Sequence, residues 1–264
     1  MNDLKQLEGK VALVTGAGSG IGKATARLLA RHHVRIAALG LTAEELEEIV
    51  AAIQKDGGSA MSIIADIAKE EEIENAVQQI IDRWGRLDII FANAGINGVW
   101  APIEELKPEE FRETIEVNLV GTFLTIKYAV PYLKKEGGAV VITSSVNGTR
   151  IFSNTGATAY SCSKGAQVVM AKMLALELAK HRIRVNVICP GNIDTQIEDN
   201  TEKREVEAEK EPVKFPEGVI PLTDGQPGSS EQVAELVLFL VSEASSHVTG
   251  TEIWIDGAES LLQG

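Results

Sequence analysis

Short apolar, β-branched runs alternate with helix-period stretches from one end of the 264-residue chain to the other. Runs such as Leu-Asp-Ile-Ile-Phe-Ala (87–92) and Ala-Val-Val-Ile-Thr (139–143) are nearly continuous in apolar residues. A strand with one wet face alternates polar and apolar positions, so these runs predict strands covered on both faces. On this basis strands are predicted at Lys10–Thr15, Arg35–Leu39, Ala60–Ile64, Leu87–Ala92, Ala139–Thr143, Arg184–Ile188 and Glu252–Ile255. Helices are predicted between them, near 21–31, 43–56, 70–84, 109–134, 159–180 and 230–242. Gly57-Gly58, Gly85, Gly137-Gly138 and Pro190-Gly191 fall in the gaps, where turns belong. Thr42-Ala-Glu-Glu and Ser230-Glu-Gln read as helix starts, with acidic residues in the first turn. Such alternation predicts an α/β chain: a single-domain doubly wound (Rossmann-type) parallel sheet of about seven strands, with helices on both faces, over residues 1–264.

One stretch breaks the rhythm. Residues 198–211 hold seven acids and three bases, and Pro212, Pro216, Pro221 and Pro227 follow. A solvated surface helix and loop would account for that composition. Its place after Pro190-Gly191 and Thr195, at the strand ends where ligands gather in such sheets, points instead to a substrate lid over 198–227.

Charge and composition narrow the partners. The formal net charge of −13 repels polyanions, so no nucleic-acid partner is expected. No apolar run approaches the roughly 18 residues of a membrane span, and nothing resembles a signal peptide. A cytoplasmic protein with no membrane partner is the expectation. Cys162 and Cys189 match no metal or redox spacing; they are read as buried thiols, and no metal is expected.

The chemistry begins at Thr15-Gly-Ala-Gly-Ser-Gly-Ile-Gly22, between the first strand and the first helix. Gly16, Gly20 and Gly22 let backbone approach a pyrophosphate, whose charge the helix N-terminus favours. Tyr160 and Lys164 are four residues apart and share one helix face, and Ser145 precedes the tyrosine by fifteen. The glycine turn, Asn93-Ala-Gly95, Val-Asn118-Leu, Thr143-Ser-Ser-Val-Asn-Gly148, Tyr160-Ser-Cys-Ser-Lys164 and Pro190-Gly191-Asn-Ile-Asp-Thr195 follow in that order.

Taken together this series resembles the short-chain dehydrogenase/reductase family, the common type of about 250 residues, across nearly the whole chain. The resemblance implies catalysis by Asn118, Ser145, Tyr160 and Lys164, with Ser144 as the alternative serine. It implies cofactor contacts from Gly16, Ser19, Gly20, Ile21 and Gly22, from Leu41, and from Asp66 and Ile67 at the adenine. Further contacts would come from Asn93, Ala94 and Gly95, from Tyr160 and Lys164, and from Pro190, Gly191, Ile193 and Thr195 near the nicotinamide.

The side chains suit that role on chemical grounds. An alcohol that loses hydride must also lose its hydroxyl proton, so a base is needed beside that oxygen. Free tyrosine ionises near about 10, and an ammonium one turn away, with the oxidised nicotinamide, lowers that value. Tyr160 is then the acid/base, Lys164 its tuner and a ribose ligand, and Ser145 a hydrogen-bond partner of the substrate oxygen. Asn118 is expected to hold a water linking Lys164 to solvent.

Relatives that use NAD commonly end strand two in aspartate, and those that use NADP follow it with arginine; here Gly40 and Leu41 stand there. Ser19 occupies a glycine-loop position where many NADP enzymes carry a basic residue, and neither Lys23 nor Arg35 is well placed to substitute. NAD rather than NADP is therefore expected.

Asn147, Trp100, Phe152 and Ile197 are expected to join Ser145 around the substrate, and the loop Thr149–Thr158 takes up the long serine-to-tyrosine spacing. A small polyol or sugar, a hydroxy- or keto-ester, or a 3-oxoacyl thioester would fit. The activity implied is interconversion of a secondary alcohol and a ketone. A 3-oxoacyl thioester (acyl-carrier-protein) reductase using NADPH and a non-catalytic dinucleotide sensor are the alternatives. Helices 109–134 and 159–180 are apolar on more than one face, which with the resemblance implies a homotetramer.

Overall fold

The structure is a computed structural model that describes residues 7–210 and 220–263. Seven strands form one parallel sheet in the order β3-β2-β1-β4-β6-β7-β9. They are β1 (Val11–Thr15), β2 (Arg35–Gly40), β3 (Ala60–Ile64), β4 (Ile89–Ala92), β6 (Gly138–Thr143), β7 (Ile183–Pro190) and β9 (Glu252–Ile255). All seven predicted strands are present, because interior parallel strands leave little besides apolar side chains to read.

Period-two alternation splits each strand between two cores. Val11 and Leu13 of β1 join one core, with α3 (Glu70–Trp84), α5 (Gly121–Glu136) and α6 (Thr158–Ala179). Ala12 and Val14 join the other, with α1 (Gly20–Arg31), α2 (Ala43–Lys55) and α7 (Ser230–Val241). The strand order reverses between β1 and β4, and such a switch point opens a crevice at the carboxyl ends of the strands.

Three features depart from the predicted pattern. The long helix expected at 109–134 is α4 (Pro108–Ile115), a π-helical turn (Glu116–Val120) and then α5. A π turn holds one extra residue, which a 3.6-residue period cannot register. The acid-rich stretch contains a 3₁₀ turn (Gln196–Asn200) and β8 (Thr201–Lys203), which pairs in parallel with β5 (Gly98–Trp100). The rest of the expected lid runs to 227, but 211–219, with Pro212 and Pro216, lies outside the described residues. Cys189 is buried as expected, whereas Cys162 is exposed. Two helical steps carry it about 200° round α6 from Tyr160, away from the sheet.

Candidate active site

A cleft of about 700 Å³ runs along the switch point from Asp66 and Ile67, past the glycine turn, to Tyr160 and Lys164. That volume is in the range of small-molecule sites, roughly 300–1,000 Å³. Of the residues expected to hold cofactor, Gly16, Ser19, Gly20, Ile21, Leu41, Asp66, Ile67, Asn93, Ala94, Gly95, Tyr160, Lys164, Pro190, Gly191, Ile193 and Thr195 all line it. Gly22 lies behind the wall: a Cβ there would stand 1.9 Å from the Gly16 carbonyl oxygen, so only glycine lets α1 start this close to β1.

The glycine turn is prepared for an anion. Gly16 and Gly20 have φ of 64° and 48°, the left-handed region that glycine adopts without strain. Ser19 is the N-cap of α1, yet no side chain caps the helix and its first turn carries no acid. Its leading N–H groups are therefore available to phosphate oxygens at the positive helix end. These features fit a dinucleotide pyrophosphate.

Asn93 knits the strand ends beneath the cleft. Its amide side chain donates to the Thr15 carbonyl at 3.2 Å and accepts from Thr143 Oγ1 at 3.1 Å, while the Asn93 and Ala94 N–H groups both donate to Thr15 Oγ1 at 3.0 Å. Asp66 Oδ1 accepts from the Ala68 N–H at 2.9 Å, which fixes the turn after β3.

At the other end, α6 presents Tyr160 and Lys164 on its buried face. Lys164 Nζ donates to the Thr143 carbonyl at 2.9 Å and lies 5.6 Å from the Tyr160 ring centre. Burial pulls the Lys164 ammonium down to about 8. Burial likewise pushes the Tyr160 phenol up, and the Ser145 hydroxyl beside it pulls it back. Ser144 instead donates to the Lys164 carbonyl at 2.8 Å, so the two serines do different things. Asn118 sits in the π turn with its side chain clasping the Ile96 backbone: Oδ1 accepts from Ile96 N at 2.8 Å, and Nδ2 donates to Ile96 O at 2.9 Å and to Ser163 Oγ at 3.0 Å. Its main-chain carbonyl accepts from both Thr122 Oγ1 and Gln167 Nε2 at 2.7 Å.

The expected substrate residues are dispersed. Ile197 lines the cleft. The Trp100 ring lies 6.4 Å from that of Tyr160, held by the β5–β8 pairing, with Lys203 Nζ 5.3 Å from its centre. Asn147 donates its N–H to Ser145 Oγ at 3.1 Å and accepts at Oδ1 from Asn154 Nδ2 at 2.6 Å. Phe152 is 74% exposed and stands away from the lining residues.

Several lining residues went unnamed from sequence, among them Ile96, Glu113, Val117, Gln196 and Asn200. Glu45 is another; in the first turn of α2 it reads from sequence as one of the acids that suit a helix start. Among the described residues, Lys164 is the sole lysine or arginine that lines the cleft. Lys23 pairs with Glu48 at 2.8 Å, and Arg35 begins β2 at the end far from the cleft. No group of three or more His, Cys, Asp or Glu side chains among the described residues is arranged to hold a metal, and no helix is long and apolar enough to cross a membrane.

The family described as enoyl-(acyl carrier protein) reductase matches residues 16–258. The crystal structure of a 3-ketoacyl-ACP reductase from Sinorhizobium meliloti 1021 is 57% identical, with a TM-score of 0.93 over 96% of this chain and 99% of that one. The 3-oxoacyl-(acyl-carrier-protein) reductase of Thermotoga maritima is 38% identical over 253 residues, 96% of this chain and 98% of its own. A 3-ketoacyl-(acyl-carrier-protein) reductase from Brucella melitensis, crystallised with NADH, is 30% identical, with a TM-score of 0.84 over 96% and 99%.

Proposed function

This chain belongs to the short-chain dehydrogenase/reductase family, and from that premise we propose how its residues divide the reaction and which cofactor they take. It is an oxidoreductase that interconverts a secondary alcohol and a ketone with a nicotinamide dinucleotide, which when bound accepts or donates the hydride. The convergence of Ser145, Tyr160 and Lys164 at one end of a cleft whose middle is an uncapped helix N-terminus carries this reading.

In it Tyr160 takes the hydroxyl proton during oxidation and returns it during reduction. Ser145 donates to the substrate oxygen and stabilises charge that develops there. Lys164, anchored on the Thr143 carbonyl, favours the phenolate by its charge. Asn118 holds the Ile96 segment at the cleft wall. Both hydrogen bonds to its main-chain carbonyl come from protein, so the water expected to link Lys164 to solvent would have to bond elsewhere.

NAD is the cofactor in this reading. A 2′-phosphate calls for a cation at the ribose end, and among the described residues none lines it. Residues 198–210 act with 220–227 as the substrate lid. A homotetramer is supported by a bare apolar stripe on α6, where Val169, Met173 and Leu176 are 63%, 69% and 84% exposed. The setting is cytoplasmic, and the substrate a small molecule. Reduction of a 3-oxoacyl thioester, the activity in the names of some of the similar proteins, is one narrower form of this reading, and other alcohols and ketones stand beside it. A dinucleotide sensor is disfavoured because the acid/base and its tuner are both in place.

The test is turnover followed by reduced-nicotinamide absorbance, across secondary alcohols, sugars, hydroxy acids and 3-oxo esters, with NAD and NADP separately. Tyr160→Phe should keep cofactor affinity and lose nearly all turnover. Full activity in that variant would refute the assignment of the base, and tight cofactor binding with no turnover on any substrate would favour the sensor.

A further inference from the structure

The end of β2 offers no side chain to the cofactor's ribose, and the geometry points to Glu45 as the residue that binds that ribose and excludes a 2′-phosphate. This rests on the dinucleotide reading of the cleft. Gly40 closes β2 at the place where a carboxylate would otherwise meet the sugar hydroxyls. Five residues on, in the first turn of α2, Glu45 lines the same end of the cleft as Leu41, Thr42 and Asp66.

Its position is tied to the phosphate-binding turn. A Cβ built on Gly18 would lie 2.5 Å from Glu45 Oε2 and 2.9 Å from Glu45 Cβ. Gly18 is not among the glycines with positive φ, so backbone conformation does not require glycine there. What the missing side chain permits is the close approach of Glu45. The carboxylate thus lies against the loop read as receiving the pyrophosphate.

Its charge is also unneutralised. Among the described residues no salt bridge joins a cation to Glu45, while nearby Lys23 is taken by Glu48. A carboxylate accepts hydrogen bonds from ribose hydroxyls, and charge-assisted bonds of this kind are the stronger ones. A 2′-phosphate offers only acceptors and carries about −1.5 to −2 charges near neutral pH, so it meets repulsion and no donor. One side chain therefore favours NAD and disfavours NADP.

Calorimetric titration of the purified protein with NAD⁺ and with NADP⁺ tests this without any substrate. The parent protein should bind NAD⁺ at least about tenfold more tightly, the step that one well-placed charged contact supplies. Glu45→Gln keeps the size and removes the charge; it should close that gap by about tenfold or more, mainly by tightening NADP⁺. Gly18→Ala, which displaces the carboxylate, should move the ratio in the same direction. A ratio unchanged in Glu45→Gln, or a parent protein that prefers NADP⁺, overturns the assignment to Glu45 and leaves the cleft reading intact. A parent protein that binds neither dinucleotide overturns the cleft reading, and Glu45 with it. Glu45 is exposed, so its substitution leaves the fold in place.

Discussion

Ser144 donates its hydroxyl hydrogen to the main-chain carbonyl of Lys164 at 2.8 Å, so it ties the end of β6 to the helix that carries Tyr160 and Lys164. Ser145, one residue on, accepts from the Asn147 N–H at 3.1 Å and keeps its own hydrogen for Tyr160 or a substrate oxygen. Adjacent, chemically identical residues are thus separated into one that fastens α6 and one that faces Tyr160. Backbone pairing with β7 continues past Thr143, from Ser144 N–H to Ile188 and from Val146 N–H to Pro190, and neighbours along such an extended chain point to opposite sides.

Two alanine variants separate those roles. Ser145→Ala should lower kcat by about 10²–10³, the cost of losing one hydrogen-bond donor at a developing oxyanion, with little change in stability. Ser144→Ala leaves the Lys164 carbonyl without that donor and should cost about 1 kcal/mol in urea unfolding, with a smaller loss of kcat. Steady-state kinetics and urea curves on both proteins check the pattern; a reversed pattern would transfer catalysis to Ser144.

Lys164 should make the cofactor-free protein less stable at neutral pH. Its ammonium is held down to about 8 by burial, against about 10.4 for a free lysine. Between those values the unfolded chain binds more protons than the folded one, so stability rises with pH across that window. Below about pH 8 the cost of burying the charge is present in full. That cost is on the order of 3 kcal/mol. The bond to the Thr143 carbonyl, worth about 1 kcal/mol, offsets part of it. Lys164→Met should therefore unfold at higher urea than the parent at pH 7, by about 2 kcal/mol, while losing most activity. The advantage should shrink as pH is raised from 8 towards 10, and a constant difference over that range would contradict the linkage.

The parts legible in the sequence share a local cause. Leu-Asp-Ile-Ile-Phe-Ala at 87–92 reads as a strand because both its faces are covered, and Tyr160 and Lys164 read as a pair because four residues make one helical turn. The parts that were not legible depend on distant contacts or on one residue's worth of geometry. The pairing of β5 with β8 joins Gly98 to Thr201, and Thr201 sits in an acidic run that has no strand signature by itself. The π turn at 116–120 adds a single residue to a helical pattern otherwise intact. Glu45 lies where acids are expected merely to suit a helix N-terminus, so nothing local marks its proximity to Gly18.

Two buried amides around that π turn should respond differently to removal. Asn118 satisfies both the N–H and the carbonyl of Ile96 and also Ser163 Oγ. Asn118→Leu strands those partners and should cost on the order of 2–4 kcal/mol, since unsatisfied buried groups bear their full desolvation penalty. Gln167 already has a buried Oε1 with no partner among the described residues. Gln167→Leu removes that orphan, and the Asn118 carbonyl keeps the hydroxyl of Thr122. The expected change is below about 1 kcal/mol in either direction. Equal losses from the two variants in urea unfolding would show that the π turn depends on Gln167 as much as on Asn118.

Arg204 latches the segment after β8 to α4, and its release should raise KM. The guanidinium meets Glu110 bidentately, at 3.0 Å and 2.8 Å, and donates to the Glu105 carbonyl at 2.6 Å. The Arg204 main-chain N–H donates to the carbonyl of Trp100, the residue beside Tyr160, at 2.9 Å. The Arg204 guanidinium, with the Lys107 N–H, holds the Glu110 carboxyl down to about 2. A carboxyl with a lowered value keeps its pairing above the ordinary carboxylate range and loses it as pH falls through the lowered value. The latch is therefore closed throughout the pH range in which the enzyme would be assayed, and it adds no inflection there. Arg204→Met should raise KM several-fold and speed proteolytic cleavage within 198–210, and the shape of the kcat pH profile should stay that of the parent. If KM and cleavage are both unchanged, the segment is held by the β5–β8 pairing alone; if the pH profile moves instead, Arg204 acts on Tyr160 through Trp100 and not as a latch.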